Sequence, residues 1–333
     1  MTILFAAHPR FFDHDTGTWH PERAARLDAV LAGVIEADLD GAVVSFEPRA
    51  ATIDEVARVH PRTYLEALER FCASGGGDID GDTVAVTESW DAALHAAGAG
   101  LDAVERLDRG EADAAFCAVR PPGHHATIDR AMGFCLLSNV AITAAALAER
   151  GERVLIVDYD AHHGNGTQAV FESDPRVMYV SFHEYPLYPG TGDLYEVGTG
   201  GGKGTSINFP LPRGTTGDVI RAGIEVVVAS KVAEFAPTWL LLSAGFDAHR
   251  SDPLTSMGLS SGDFADITTD LLSFAPAGRR IAFLEGGYDL EALRDSTAAC
   301  VGALAGEVRH PERPTSGGPG RNVIDDVAMV HLG

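Results

Sequence analysis

The chain of 333 residues has few of the features that indicate secretion, a membrane anchor or a disulfide scaffold. Its four cysteines are far apart and form no Cys-x-x-Cys pair, which argues against a disulfide framework and against a cysteine zinc site. The amino-terminal segment has no basic flank, and no apolar run reaches the roughly 18 residues that a membrane-spanning helix needs. These absences predict a cytoplasmic protein that does not interact with membranes.

Lysine is almost absent, with Lys203 and Lys231 as its only instances, and acidic residues outnumber basic ones by 48 to 25. The formal net charge of −23 would repel a phosphate backbone, so we expect no direct binding of nucleic acid. Acidic residues are densest between Asp78 and Asp113. This stretch is most simply a solvated acidic face, but it would attract a cationic ligand if it bordered a site.

Short apolar runs of strand length alternate with longer helical patterns along the whole chain. The apolar runs read TILFA, AVVSF, DAAFCAV, RVLIV, RVMYV, TSINF, TWLLLS and RRIAFL. Helical patterns occupy 21–35, 61–71, 88–110, 137–150, 217–235, 262–274 and 290–305. Such alternation predicts an α/β fold, a single-domain three-layer α/β/α sandwich around a mainly parallel eight-stranded sheet. No composition break divides residues 1–333, so we expect one catalytic domain with a core of about 1–310 and a carboxyl-terminal tail of 311–333.

Two prolines and one capping pattern suggest where helices begin. Pro21 and Pro61 occupy positions expected for the first residue of a helix, and Thr52 with Glu55 has the spacing of a capping box. The segment PERPTSGGPGRN, before 323–333, is the only one that reads as a linker.

Polar clusters follow five of the apolar runs, at the points where the strands should end. They read RPPGHHA, DYDAHHGNG, SFHEYPLYPGTG, AGFDAHRSDP and EGGYDL. In open parallel sheets, ligands bind outside the carboxyl ends of the strands. The sequence therefore predicts a site at that edge of the sheet.

The DYDAHH cluster has the spacing of a metal site. Asp158, Asp160 and His162 alternate, so in an extended segment their side chains point to one side. Asp160 and His162, with Asp247 from another strand end, would make a three-ligand site with an open fourth position. Asp and His also commonly cap the turn and helix after a strand, and that interpretation competes for the Asp-x-His pattern alone.

The tandem histidines His124 and His125 follow the stiff turn Pro-Pro-Gly. Two adjacent imidazoles are poor core material, and beside a metal site they favour an acid/base pair. Tyr288 follows two glycines and could donate a hydrogen bond to a developing oxyanion, although a plain turn tyrosine is the simpler interpretation.

Taken in order, these motifs resemble one family, the zinc-dependent histone deacetylases with their acetylpolyamine amidohydrolase and bacterial deacetylase-like relatives. The matching segments are HPERAARL, RPPGHHA, GFCLLSN, DYDAHHGNGT, YVSFHEY, YPGTGD, SAGFDAHRSDPL and EGGYDL, and they span most of the chain. The forms RPPGHHA, HHGNGT and EGGY are similar to those of the class II members of this family. The resemblance implies a zinc-dependent amidohydrolase that removes acetyl groups from acetyl-lysine side chains or a similar acetylated amine, using metal-activated water and a histidine base.

The resemblance also implies residue roles. One Zn²⁺ would be bound by Asp160, His162 and Asp247. His125 would be the general base and acid, oriented by Asn165 where class I has an aspartate. His124, paired with Asp158, would hold positive charge. Tyr288 would polarise the acetyl carbonyl.

Further implied features surround this centre. A structural K⁺ would be bound around Asp158, Asp160, His162 and Ser181. The walls and mouth of the substrate tunnel would include Gly133, Phe134, Tyr188 and Leu254. Arg26 corresponds to an arginine of an internal channel for acetate.

Three other functions compete with acetyl-lysine hydrolysis. A dimanganese ureohydrolase needs more aspartates near the Asp-x-His segment, where this chain has HHGN. A non-catalytic reader of acyl-lysine would have lost catalytic residues, and all of them are present. An acetylpolyamine deacetylase fits the acidic charge, whereas Leu254 lies where a polyamine-specific relative has a glutamate. We therefore expect an acetylated lysine peptide or protein as substrate, with an acetylated polyamine as the alternative.

Overall fold

The computed structural model describes residues 1–39 and 41–333. In chain order its strands are β1 (Ile3–Ala6), β2 (Val43–Phe46), β3 (Gly77–Asp78), β4 (Val84–Ala85), β5 (Ala114–Cys117), β6 (Val154–Asp158), β7 (Val177–Glu184), β8 (Ser206–Leu211), β9 (Trp239–Ala244) and β10 (Arg280–Leu284). Its α-helices are α1 (Arg10–Asp13), α2 (Ala25–Glu36), α3 (Ile53–Val56), α4 (Arg62–Ala73), α5 (Ser89–Asp108), α6 (Asn139–Glu149), α7 (Asn165–Phe171), α8 (Gly217–Gly223), α9 (Ala229–Phe235), α10 (Ser261–Leu272), α11 (Leu290–Leu304) and α12 (Arg321–Leu332).

Eight strands form one sheet in the order β2-β1-β5-β10-β9-β6-β7-β8, and every neighbouring pair is parallel. The central strands β5, β6, β7 and β9 are buried along their whole length, as expected for strands covered on both faces. All eight predicted strands are present, and the predicted α/β class is confirmed. The two-residue strands β3 and β4 pair separately in an antiparallel ribbon.

Two groups of helices cover the sheet. Helices α2, α11 and α10 pack in a row, and α8 continues that layer against α10. Helices α4, α5, α6 and α7 form the other group, with α5 packed against β5 and α6 against β6. The hydrophobic core consists of the buried apolar side chains between the sheet and these helices. Because both faces are covered, the strand ends are the part of the sheet left for a site.

Some helix boundaries differ from the predictions. Pro21 does not begin a helix, because α2 begins at Ala25 and the preceding turn carries Glu22 into a buried ion pair with Arg120. Pro61 lies one residue before α4. The capping box is present, since the Thr52 side chain accepts from the Glu55 backbone N–H and the Glu55 carboxylate from that of Thr52. A π-helical turn, 224–228, interrupts the helix predicted over 217–235.

The segment that was predicted to be a linker makes tertiary contacts with the rest of the protein. The Glu312 carboxylate lies 2.7 Å from Nε2 of His249 and accepts a hydrogen bond from the Ser261 backbone N–H. The Thr315 hydroxyl donates to Asp263, and α12 packs against β8. These contacts join residues that are distant in sequence. Local composition therefore could not reveal them, and the segment was predicted to be a linker.

Across the described ranges, no helix combines the length and the apolar character required to cross a membrane. The cytoplasmic location stays a prediction.

Candidate active site

The polar clusters lie at one edge of the sheet. They follow β5, β10, β9, β6 and β7, which are five consecutive neighbours in the strand order. The predicted convergence at the carboxyl ends of the strands therefore follows from the topology.

Asp160, His162 and Asp247 form a buried cluster in which one ligand atom from each lies within 4.8 Å of the others. The His162 Nδ1 atom is 2.8 Å from Oδ2 of Asp247 and 3.2 Å from Oδ1 of Asp160. Backbone N–H groups hold both carboxylates: Ala161 donates to Asp247, and Gly286 donates to Asp160, each at 2.7 Å. These contacts hold the three side chains so that their ligand atoms lie around one point.

The cluster fits a divalent metal ion. Burial and the nearby Asp160 charge raise the pKa of Asp247 to about 7, so ionisation of this second carboxylate is disfavoured here and a bound cation would favour it. The backbone also approaches closely, because a Cβ at Gly286 would lie 2.4 Å from Oδ2 of Asp247. Two oxygen donors and one imidazole nitrogen suit Zn²⁺ and leave a fourth position for substrate or water.

The two tandem histidines have different partners, as the resemblance implies. The His124 Nδ1 atom lies 3.1 Å from Oδ2 of Asp158, whereas the His125 Nδ1 atom lies 2.8 Å from the amide oxygen of Asn165. The two imidazole ring centres are 4.0 Å apart. One ring is thus paired with a charge and its neighbour with a neutral amide.

These partners separate the proton affinities of the two rings. Burial lowers the pKa of His124, but Asp160 and Asp158 outweigh burial and raise it to about 10. Burial and the charges of His124 and His162 hold the pKa of His125 well below its usual value. These surroundings therefore favour the cationic form of His124 and the neutral form of His125.

Tyr288 is held from two sides. Its backbone N–H donates to Asp252 at 2.7 Å, and the guanidinium of Arg26 lies 5.1 Å from the centre of its ring. Burial and the nearby Asp247 raise the pKa of the Tyr288 phenol well above its usual value. The hydroxyl therefore keeps its proton and can donate it in a hydrogen bond.

A cavity of about 670 Å³ leads from the surface to His125, His162 and Tyr288. Its lining includes all four residues assigned to the tunnel, which are Gly133, Phe134, Tyr188 and Leu254. We call this space the substrate cavity.

Backbone conformation positions the wall of the substrate cavity. Phe134 has a φ of 68°, an uncommon value for a residue with a side chain, and its N–H donates to the Thr83 hydroxyl. Gly133 has a φ of 56°, and a Cβ there would lie 2.4 Å from Cδ2 of His125. Glycine at this position therefore allows the wall to contact the His125 ring.

Arg26 is fully buried against the ring of Tyr288. Its Nε donates to the Gly287 carbonyl oxygen at 2.6 Å, and its Nη1 lies 3.2 Å from Oε1 of Glu22. Arg120 also pairs with Glu22, so one buried carboxylate holds two guanidinium groups. Removing Glu22 would leave both cations buried without their partner, at a cost of several kcal/mol.

The residues assigned to potassium are also adjacent. Asp158 and Ser181 are register partners on β6 and β7. Among the described residues, no hydrogen bond is donated to the carbonyl oxygens of Asp160 or His162, which leaves these oxygens available to a cation.

Sequence reasoning missed three supporting acids: Glu22, Asp252 and Glu285. Glu285 is buried, and its Oε2 accepts the backbone N–H groups of Gly123 and His124 at 2.7 and 3.1 Å. Each acid lies inside a motif that had been noticed, HPERAARL, SAGFDAHRSDPL or EGGYDL. Asp252 and Glu285 follow strand ends, whereas Glu22 precedes α2, so the available signal was an acid inside one of the matching motifs.

Fold and site together define a class: a parallel α/β protein with a buried two-carboxylate, one-histidine centre beside paired histidines at the strand ends. A family model described as the histone deacetylase domain matches residues 20–304, and the chain belongs to the histone deacetylase family.

Individual proteins of similar sequence and structure agree with this membership. A probable deacetylase of Archaeoglobus fulgidus is 39% identical over 94% of this chain and 90% of its own length. A probable deacetylase of Methanothermobacter thermautotrophicus is 40% identical, over 93% of each chain. The crystal structure of the HDA15 HD domain superimposes with a TM-score of 0.92 at 33% identity, covering 99% of this chain and 94% of that one.

Proposed function

We propose that this protein is a zinc-dependent deacetylase that hydrolyses the acetyl amide of acetyl-lysine side chains. The observation that carries the proposal is that the cluster of Asp160, His162 and Asp247 meets the substrate cavity through His162, which lines the cavity together with His125 and Tyr288. Family membership and the names of the two archaeal relatives support deacetylation as the reaction.

Zn²⁺ bound by the three side chains would supply Lewis acidity that polarises the acetyl carbonyl and acidifies water. His125 is the general base, because its ring is neutral and faces the metal site. It accepts a proton from water as the water oxygen bonds to the acyl carbon. It then gives that proton to the lysine nitrogen as the carbon–nitrogen bond breaks, leaving acetate and a free amine.

His124 and Tyr288 stabilise the charge that develops on the carbonyl oxygen. The cation on His124, held by Asp158 at 3.1 Å, lowers the energy of an adjacent oxyanion. The Tyr288 hydroxyl donates a hydrogen bond to the same oxygen. Asn165 orients His125 without adding charge.

We also propose the peripheral assignments that resemblance suggests. K⁺ would bind main-chain oxygens around Asp158, Asp160, His162 and Ser181, where two carbonyl oxygens are available. Arg26 would mark an internal path for acetate, since it is fully buried and its guanidinium contacts the Tyr288 ring. Residues 1–333 would act as one catalytic domain, with the tail from 311 attached through Glu312.

Acetylpolyamine is a second candidate substrate because of one observation. The exposed Asp82 and Leu254 both line the substrate cavity, so a carboxylate is present where a distal ammonium could bind. Leu254 itself is 39% exposed and offers an apolar surface, which favours peptide.

The test is a panel of acetyl-lysine peptides and acetylated polyamines, assayed for kcat/KM on protein of measured zinc content. A higher kcat/KM for peptides supports the proposal. Preference for acetylspermidine would replace it with the second candidate, and binding without hydrolysis by the zinc-loaded protein would support a non-catalytic reader.

A further inference from the structure

A second groove lies beside the mouth of the substrate cavity. It has a volume of about 420 Å³, and its floor includes the apolar side chains of Tyr64, Leu68, Phe71 and Ile79. The Tyr64 hydroxyl donates to the Leu136 carbonyl oxygen at 2.6 Å, which fixes that ring in the floor. We call this space the side groove.

The side groove and the substrate cavity share their boundary. Asp80 lines the side groove, while the next two residues, Gly81 and Asp82, line the substrate cavity. The Asp80 carboxylate accepts the backbone N–H groups of Asp82 and Thr83, so this boundary is one tight turn. A few residues of extended chain, at about 3.3 Å each, would cross it.

The rim of the side groove is acidic. Asp78, Asp80 and Asp129 line it together with a single cation, Arg130. Within the described part of the chain, none of these three carboxylates, nor that of Asp82, has a cation within ion-pair distance. Unpaired carboxylates around an apolar floor complement a ligand that is basic and also carries an apolar side chain.

We propose that the side groove binds the substrate polypeptide next to the acetyl-lysine, holding an apolar side chain on its floor and a basic residue at its rim. This inference rests on the proposed deacetylase function and specifies its substrate as a basic polypeptide. An acetylated polyamine has cations for the rim but no side chain for the floor. The side groove therefore discriminates between the two candidate substrates, which the acidic mouth alone does not.

The first experiment blocks the floor. Ala67 lines the side groove and is exposed on α4, so Ala67→Trp fills the groove without disturbing the core. The matched control is Ala73→Trp, at an exposed position of the same helix outside the groove. The substrates are acetyl-lysine capped at both ends and peptides in which acetyl-lysine is flanked by Leu and Arg, by Ala and Arg, or by Leu and Glu.

We expect wild type to hydrolyse the Leu/Arg peptide with kcat/KM on the order of tenfold above capped acetyl-lysine, since burying a leucine is worth at least that factor. Ala67→Trp should abolish this advantage and leave capped acetyl-lysine unchanged, and Ala73→Trp should change neither. Equal values for the two substrates in wild type, or equal losses for both in Ala67→Trp, would overturn the inference.

A second experiment tests the rim. Asp78→Asn should reduce the preference for Arg over Glu peptides, whereas Asp28→Asn, an exposed change on α2, should not. Equal preference in wild type and Asp78→Asn overturns the rim assignment.

Two further outcomes distinguish a failure of the proposed function from a failure of the side-groove inference. If the zinc-loaded protein hydrolyses none of these substrates, the proposed function fails, and anisotropy of a fluorescent Leu/Arg peptide then tests the side groove directly. Weaker binding by Ala67→Trp than by Ala73→Trp supports it, and equal binding overturns it. A wild-type dimer that Ala67→Trp converts to monomer would instead assign the groove to a second copy of the chain.

Discussion

The Nδ1 atom of His125 lies 2.8 Å from the amide oxygen of Asn165, so the proposed base is oriented by a neutral partner. Its neighbour His124 is paired with the carboxylate of Asp158 instead. This difference favours the neutral form of His125 and the cationic form of His124.

Asn165→Asp should therefore raise the pKa of His125, because the new carboxylate stabilises the protonated ring. The neutral base then appears only at higher pH, so the acidic limb of the kcat/KM profile should move to higher pH. A pH–rate profile against a fluorogenic acetyl-lysine peptide measures the shift. Asn322→Asp, an exposed change on α12, is the control and should leave the limb in place. An unmoved limb in Asn165→Asp would assign the base to another group.

Tyr288→Phe should lower kcat on the order of 10²-fold, the usual effect of removing one oxyanion donor. Zinc content and the unfolding midpoint should be unchanged, because the ring and its contact with Arg26 remain. Steady-state kinetics separate the alternatives: a raised KM with unchanged kcat would make Tyr288 a binding residue only.

Gly133→Ala should reduce kcat/KM, because the added methyl would lie 2.4 Å from the His125 ring. Gly151→Ala is the matched control, since Gly151 also has a positive φ, 84°, but has open space where a Cβ would be. Both changes add backbone strain of about 1–2 kcal/mol. Gly133→Ala also adds the contact with His125, so its unfolding midpoint should fall at least as far as that of Gly151→Ala. Equal kcat/KM in the two variants would show that the contact with His125 has no catalytic consequence.

Leu254→Glu should raise kcat/KM for acetylspermidine relative to an acetyl-lysine peptide, because a carboxylate at the mouth would pair with the distal ammonium. Leu332→Glu, at a similarly exposed leucine on α12, controls for added charge. Unchanged selectivity in Leu254→Glu would show that this position does not choose the substrate.

The sheet could be predicted because each parallel strand is a continuous apolar run. The convergence of the polar motifs at one edge of the sheet could be predicted because these motifs follow those runs, whereas the roles of their residues stay predictions. Strands β3 and β4 were missed, since two residues near glycines carry no periodicity. The ion pair between Glu22 and Arg120 joins residues 98 positions apart, and no local pattern reveals it. The start of α2 was misplaced for the same reason.

Backbone conformation and the spatial proximity of distant residues cannot be predicted from residue types alone. A histidine pattern indicates an acid/base pair, but only the fold shows that Phe134 adopts a φ of 68° and that Asp82 shares the cavity with Leu254. The side groove depends on two segments, around Tyr64 and Asp129, that meet only in the folded chain.

We propose that Asp160, His162 and Asp247 hold the metal on which hydrolysis depends. The most direct measurement is kcat/KM for an acetyl-lysine peptide, together with metal content, for wild type and Asp247→Ala after chelation and again after Zn²⁺ is restored. We predict one zinc per wild-type chain, loss of activity on chelation and its return with Zn²⁺, and a folded Asp247→Ala protein that recovers neither metal nor activity. An Asp247→Ala protein with near wild-type turnover and metal content would show that these three residues do not hold the catalytic metal.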